Sequence, residues 1–222
     1  MTIASRSLAI VLGLFAAVSL AAAAPKDVQF PTSDGGTVDA DLYGSGTEGV
    51  VFCHGAIFSK QSWAPQAKRI AKHGMRALAI NFRGYGRSGG GSKPNALYLD
   101  VMAAVRWMHK QGVEKVDVVG GSMGGGAAGK AATKVKPGEI HKLLLLSPMP
   151  IQDPQDLKAD SILYIASRNE ALASRVKEQY EHAPKPKNLI LLQGSAHAQN
   201  IFATNQAQNL SDDIVNFLAG QN

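Results

Sequence analysis

Short, continuous apolar runs alternate along the chain with longer amphipathic stretches. Gly49–Cys53, Met75–Ile80, Lys115–Gly120, Ile140–Leu146, Ile162–Ala166 and Asn188–Leu192 are of the first kind. Runs of this length, rich in Val, Ile and Leu, predict strands buried on both faces. Trp63–His73, Leu97–Lys110, Ser122–Lys134, Ala171–His182 and Asp212–Ala219 are of the second kind and predict helices. Ahead of them, "KDVQF" and "TVDADLY" flank the turn signal "SDGG" and predict a β-hairpin. This succession predicts an α/β domain with a mostly parallel, doubly wound sheet and helices on both faces. The hairpin adds antiparallel strands at one edge. No internal repeat or linker-like stretch interrupts residues 24–222, so they are expected to form a single domain.

Residues 1–23 read differently. A short basic start with Arg6, an apolar run Leu8–Leu20 and a block of alanines have the layout of a secretory signal peptide. Pro25 is a poor first residue after cleavage, so the cut is expected after Ala23, with Ala21 and Ala23 as the small pair. The apolar run is too short and Ala-rich for a membrane span, and no stable membrane insertion is expected after cleavage. The single cysteine, Cys53, cannot form an internal disulfide and sits in an apolar run, which reads as a buried small hydrophobe. Export without disulfides points to a secreted or periplasmic bacterial protein.

The formal charge of the 222-residue chain is +6, and +5 once Arg6 is removed with the leader. The basic residues are scattered and lack aromatic interleaving, so no nucleic-acid partner is expected.

The helix predicted from Ser122 begins oddly, because Gly120, Gly121, Gly124, Gly125 and Gly126 crowd around one serine. Glycine costs about 0.8–1.0 kcal/mol relative to alanine in a helix interior, so these positions need another reason. Gly120-Gly121-Ser122-Met123-Gly124 fits G-x-S-x-G between a strand and a helix, the context of a nucleophile elbow. Small residues two positions to either side let strand and helix pack closely. The Met123 N–H, at the helix start, is then free to stabilise a developing oxyanion. A formal G-x-G-x-x-G over Gly124–Gly129 suggests a dinucleotide site instead. It begins four residues past the strand, however, and no acidic residue follows about 20 positions on. A plain flexible glycine loop does not explain the placement after a fully apolar strand.

An elbow serine needs a base and an acid later in the chain. His182 ends a predicted helix, whereas His197 follows the last strand in a loop of small residues, where the base is expected. Glu170 follows the preceding strand in "SRNE" and can orient the imidazole. Asp153 is the alternative acid, with Asp156 and Asp160 behind it. A second oxyanion donor is expected from the Ala56 N–H in "HGA", with His54 shaping that loop. Ser88 is also glycine-flanked, but no strand leads into it and it reads as loop.

"VVFCHGAIFSKQSW", "ALAINFRGYGRSGGG", "VVGGSMGGG", "ILYIASRNE" and "LLQGSAHA" arrive in the order and spacing of the α/β-hydrolase superfamily, which the chain resembles over nearly all of residues 24–222. The resemblance implies Ser122 as nucleophile, His197 as base, Glu170 at the acid position, and the Ala56 and Met123 amides as the oxyanion hole. It implies no metal and no organic cofactor. One departure is that the family's acid is more often Asp in a G-x-x-D pattern, where this chain has Ser167-Arg168-Asn169-Glu170.

The expected activity is that of a serine hydrolase acting on carboxylic or thio esters, on a small molecule or borne on a polymer. An exported, non-catalytic binding protein on the same fold is the alternative, since fold alone does not fix function. Between Leu146 and Ile162 lies only "SPMPIQDPQDLKADS", with three prolines. Fifteen residues of this kind predict no cap domain, hence an open site and short acyl groups.

Overall fold

β1 (Lys26–Pro31) and β2 (Thr37–Tyr43) pair antiparallel across the turn, with Phe30, Val38 and Ala40 turned into the core. The structure, a computed structural model, describes residues 24–220; the predicted leader, residues 1–23, lies outside the described residues. Six further strands follow: β3 (Glu48–Cys53), β4 (Arg76–Ile80), β5 (Lys115–Gly121), β6 (Lys142–Leu146), β7 (Ser161–Ser167) and β8 (Lys187–Leu192). All eight form one sheet in the order β1-β2-β4-β3-β5-β6-β7-β8. β2 pairs antiparallel with β4, and every pairing from β4 through β8 is parallel.

Helices cover both faces, as the continuous apolar strands require. Val50, Phe52, Val119 and Leu144 pack with α1 (Ala64–Lys72) and α5 (Ala207–Ala219). Val51, Cys53, Val118 and Leu143 pack with α2 (Leu97–Lys110), α3 (Met123–Lys134) and α4 (Ala173–His182). The chain leaves β3 for β4 on one side and then crosses to β5 on the other. Such a reversal opens a crevice at the carboxyl ends of the strands, the usual place for a ligand in an open α/β sheet.

Several boundaries differ from the sequence expectation, and two of them bear on packing and on the site. α5 starts at Ala207 rather than Asp212, because Leu210 anchors its otherwise polar first turn in the core. Ser122 is not helical, and α3 begins one residue later. The β6–β7 connection holds only a short 3-10 turn, Pro154–Asp156, and no cap covers the sheet there. Among the described residues no helix is long and apolar enough to cross a membrane.

Candidate active site

β5 delivers Ser122 to the crevice in a backbone conformation of φ 51° and ψ −115°. A non-glycine residue at such a position costs on the order of 1–3 kcal/mol and persists only where its neighbours over-determine it. Here the Ser122 N–H donates to Leu146 O at 2.9 Å, and its carbonyl accepts from Met149 N at 2.9 Å and Gly126 N at 3.0 Å. The flanking glycines make the turn feasible. A Cβ on Gly120 would lie 2.5 Å from Gly124 O, and one on Gly124 would lie 2.6 Å from His54 O. The glycines of the formal G-x-G-x-x-G thus sit inside α3, where Gly124, Gly125 and Gly129 are closed off by backbone and by Ile151.

Ser122 Oγ lies 2.8 Å from Nε2 of His197, which follows β8. The other ring nitrogen, Nδ1, makes a short hydrogen bond to Glu170 Oε2 in the loop after β7. With the proton on Nδ1 facing the carboxylate, Nε2 is left as acceptor for the Ser122 hydroxyl. Glu170 is buried, and its second oxygen accepts from Ser147 Oγ at 2.5 Å and from Ser167 N at 2.9 Å. Ser147 Oγ also accepts from Ala198 N at 3.1 Å, while Ser167 Oγ donates to Ala196 O at 2.6 Å. Both backbone neighbours of His197 are therefore tied to residues that hold Glu170. Ser147 and Ser167 were not singled out from sequence; each is the serine that closes an apolar run, "LLLLS" and "YIAS".

The remaining candidates lie apart. Asp153, Asp156 and Asp160 are exposed on the β6–β7 connection, and none is bonded to His197. His182 is exposed, with its ring on Glu178 O of its own helix. Ser88 is buried, donating to Asn81 O and accepting from Asp39 N, a loop tie. Cys53 is buried, and burial pushes its thiol well above the usual range, so it is a core residue.

The loop after β3 lies against the elbow, with a Cβ placed on Gly55 only 3.5 Å from Ser122 Cβ. Gly55 O accepts from Phe58 N at 3.0 Å and faces His54 Nδ1 at 2.8 Å. Across a trans peptide the Ala56 N–H points the opposite way. Among the described residues, neither that N–H nor the Met123 N–H donates to a protein acceptor. Tyr85 links the two, its hydroxyl donating to Ala56 O at 2.7 Å and lying 3.8 Å from Met123 Sδ. His54 is fully buried, and its Nε2 faces the Phe82 N–H at 3.3 Å. Burial lowers its pKa, against the opposing bond to Gly55, and favours the neutral ring with Nδ1 protonated.

Buried ion pairs hold the two loops behind this wall. Lys60 Nζ lies 3.0 Å from Asp39 and 2.8 Å from Asp41, and its N–H donates to Asn81 Oδ1 at 2.9 Å. Arg83 is paired with Asp34 at 2.9 Å and Asp100 at 2.7 Å, which anchors the glycine-rich stretch after β4. Among the described residues two large apolar side chains are exposed, Ile57 at 81% and Met149 at 44%. Both sit on loops that touch the elbow. Surface cavities of about 330 Å³ and 220 Å³ lie elsewhere, one beside α4 and one between β1 and α2.

Residues 49–168 match the family described as alpha/beta hydrolase fold. An esterase from Pyrococcus furiosus is 23% identical and superposes with a TM-score of 0.71 over 87% of this chain and 91% of its own. A bromoperoxidase from Bacillus anthracis is 15% identical, with a TM-score of 0.73 over 87% and 99% of the two chains. Among curated proteins, a non-heme chloroperoxidase from Streptomyces lividans is 31% identical over 115 residues, 50% of this chain and 40% of that protein. A multifunctional-autoprocessing repeats-in-toxin protein of Vibrio cholerae is 31% identical over 155 residues, 64% of this chain and 3% of the toxin. The chain thus spans well under two thirds of these curated relatives.

Proposed function

Because this chain belongs to the α/β-hydrolase fold family, we propose that it is a serine hydrolase cleaving carboxylic esters, or thioesters, of short acyl groups. The observation that carries the reading is the line of contacts from Ser122 Oγ through the His197 ring to buried Glu170. In the proposed reaction Ser122 Oγ bonds to the acyl carbon as its proton passes to His197 Nε2. The carbonyl electron pair moves onto the oxygen, which the Ala56 and Met123 N–H groups receive. Glu170 stabilises the imidazolium without itself taking the proton. Collapse breaks the bond to the leaving alcohol or thiol, which takes the proton from His197. Water, deprotonated by the same histidine, then attacks the acyl-serine; the acyl–Oγ bond breaks, Ser122 Oγ takes the proton back from His197, and the acid is released. The Pyrococcus furiosus protein of similar fold is an esterase, which agrees with this class.

Labelling with a fluorophosphonate and a screen of p-nitrophenyl and thioester substrates test the reading. The expected result is label and turnover that both vanish in Ser122→Ala while the fold is kept. A folded wild-type protein that takes no label and turns over no ester would favour the non-catalytic binding protein instead. We also propose that the chain is exported, on the strength of its N-terminal sequence.

A further inference from the structure

Gln199 is two residues past His197, and its buried amide is bonded at both ends. Oε1 accepts from the Gly55 N–H at 2.7 Å, and Nε2 donates to Ser62 Oγ at 2.6 Å. Both partners belong to the segment after β3, which lies against Ser122 at Gly55. We infer that Gln199 is a positioning residue that sets the Ala56 N–H for the oxyanion, so that one stretch, His197-Ala198-Gln199, orients base, acid and oxyanion hole together.

The geometry of the His54–Gly55 peptide carries the inference. Its carbonyl side packs on Gly124, where a Cβ would come within 2.6 Å of His54 O. Its N–H side is taken by Gln199. The next peptide is held at Gly55 O by Phe58 N and the His54 ring. Gly55 lacks a side chain and has wide φ/ψ freedom, so two successive peptide planes must be pinned from outside to aim the Ala56 N–H. His54 and Phe58 pin the second plane from within the loop. Gln199 pins the first from the base's own segment, and its Oε1 would lie 3.2 Å from a Cβ on Gly121, beside the nucleophile. The same segment bonds the acid side through Ala198 N and Ser147 Oγ at 3.1 Å.

The inference rests on the hydrolase reading, and kinetics of Gln199→Met test it. Loss of one oxyanion donor costs about 10²–10³ in kcat, and misplacement by about 1 Å can cost about 10². The expected result is a fall in kcat of about 10- to 100-fold with KM within about twofold, because the interaction is strengthened only in the transition state. Affinity for phenylboronic acid, which mimics the tetrahedral adduct, should fall in parallel. The acid limb of the kcat/KM profile should keep its midpoint, since the His197 contacts to Ser122 and Glu170 are untouched. Wild-type kcat in a folded Gln199→Met protein would overturn the inference, as would a displaced acid limb, which would mean that Gln199 acts through His197. If that variant does not fold, Ser62→Ala decides. It frees only the outer end of the amide, and a several-fold loss of kcat and boronate affinity supports the brace, whereas unchanged values overturn it. A wild-type protein inert to ester and fluorophosphonate alike would remove the hydrolase reading and this inference with it.

Discussion

The Ser147 hydroxyl donates to Glu170 across 2.5 Å from the end of the neighbouring strand, and in the same position accepts the Ala198 amide at 3.1 Å. A buried carboxylate is stabilised by each donor that replaces lost water. Ser147 therefore holds the carboxylate and the histidine's backbone with one oxygen. Glu170→Gln is expected to lower kcat by roughly 10²–10⁴-fold, as loss of the charged acid does in a serine–histidine–acid triad. Ser147→Ala should lower it by roughly 10- to 100-fold, in line with about 1.5–3 kcal/mol for one bond to a charged group. Asp153→Asn, exposed and distant from the ring, should leave kcat unchanged. Steady-state kinetics of the three variants check the assignment, and a large effect at Asp153 alone would move the acid to the β6–β7 connection.

Acid stability follows from Asp39. Burial raises its pKa, but bonds from Arg87, Lys60 and Asn81 outweigh that and bring it from 3.8 to about 2. A carboxyl depressed by folding contributes stability in full above its unfolded value and loses it as pH falls through the folded one. The urea midpoint should therefore drop between about pH 4 and pH 2. Lys60→Met takes the ammonium from Asp39 and Asp41 while Arg87 stays on Asp39, and should cost about 1.5–3 kcal/mol at neutral pH. Urea titrations of wild type and variant over this range measure both effects.

His54 adds a second pH effect, of the same sign. Its pKa is lowered by burial, so the unfolded chain takes up the proton first and stability declines as pH falls below about 6.5. Protonation would also set an Nε2–H against the Phe82 N–H at 3.3 Å. His54→Asn should flatten this part of the profile in urea titrations between pH 7 and pH 5, while a slope as steep as in wild type would assign the effect elsewhere.

Substrate size is the next expectation. With no cap and with Ile57 and Met149 exposed beside the elbow, an acyl chain meets apolar side chains but no enclosing tunnel. Activity on p-nitrophenyl esters is expected to fall beyond about eight carbons, because affinity for longer chains needs a concave apolar pocket. Ile57→Ser should raise KM for butyrate more than for acetate, by about 0.8 kcal/mol per methylene no longer covered. A preference for palmitate, or equal KM changes for the two short esters, would contradict this picture.

Export is tested by mass spectrometry of the protein from its native host. The expected chain begins near Ala24. A full-length chain retaining Met1 would contradict cleavage.

Much of this architecture was legible in residue order. The continuous apolar runs marked β3 to β8 because a strand buried on both faces leaves no polar alternation, and the glycines around Ser122 marked a turn that tolerates no Cβ. The first turn of α5 was not legible, since Leu210 is its one large apolar residue and its burial depends on the sheet it meets. The acid remained divided between Glu170 and Asp153, both in loops at the carboxyl ends of strands.

Local periodicity determined which segments are strands and helices, and the glycine-flanked motif determined where the strained serine turn stands, because both depend on neighbours a few residues away. Which carboxylate faces His197, and which side chains brace Gly55, were decided by strand order. Gly55 and Gln199 are 144 residues apart in the chain, and the sheet brings them together by placing β3 beside β5 and carrying the chain on to β8. A hydrogen bond of 2.7 Å is a condition on distance and direction in space, and no pattern along the chain carries it.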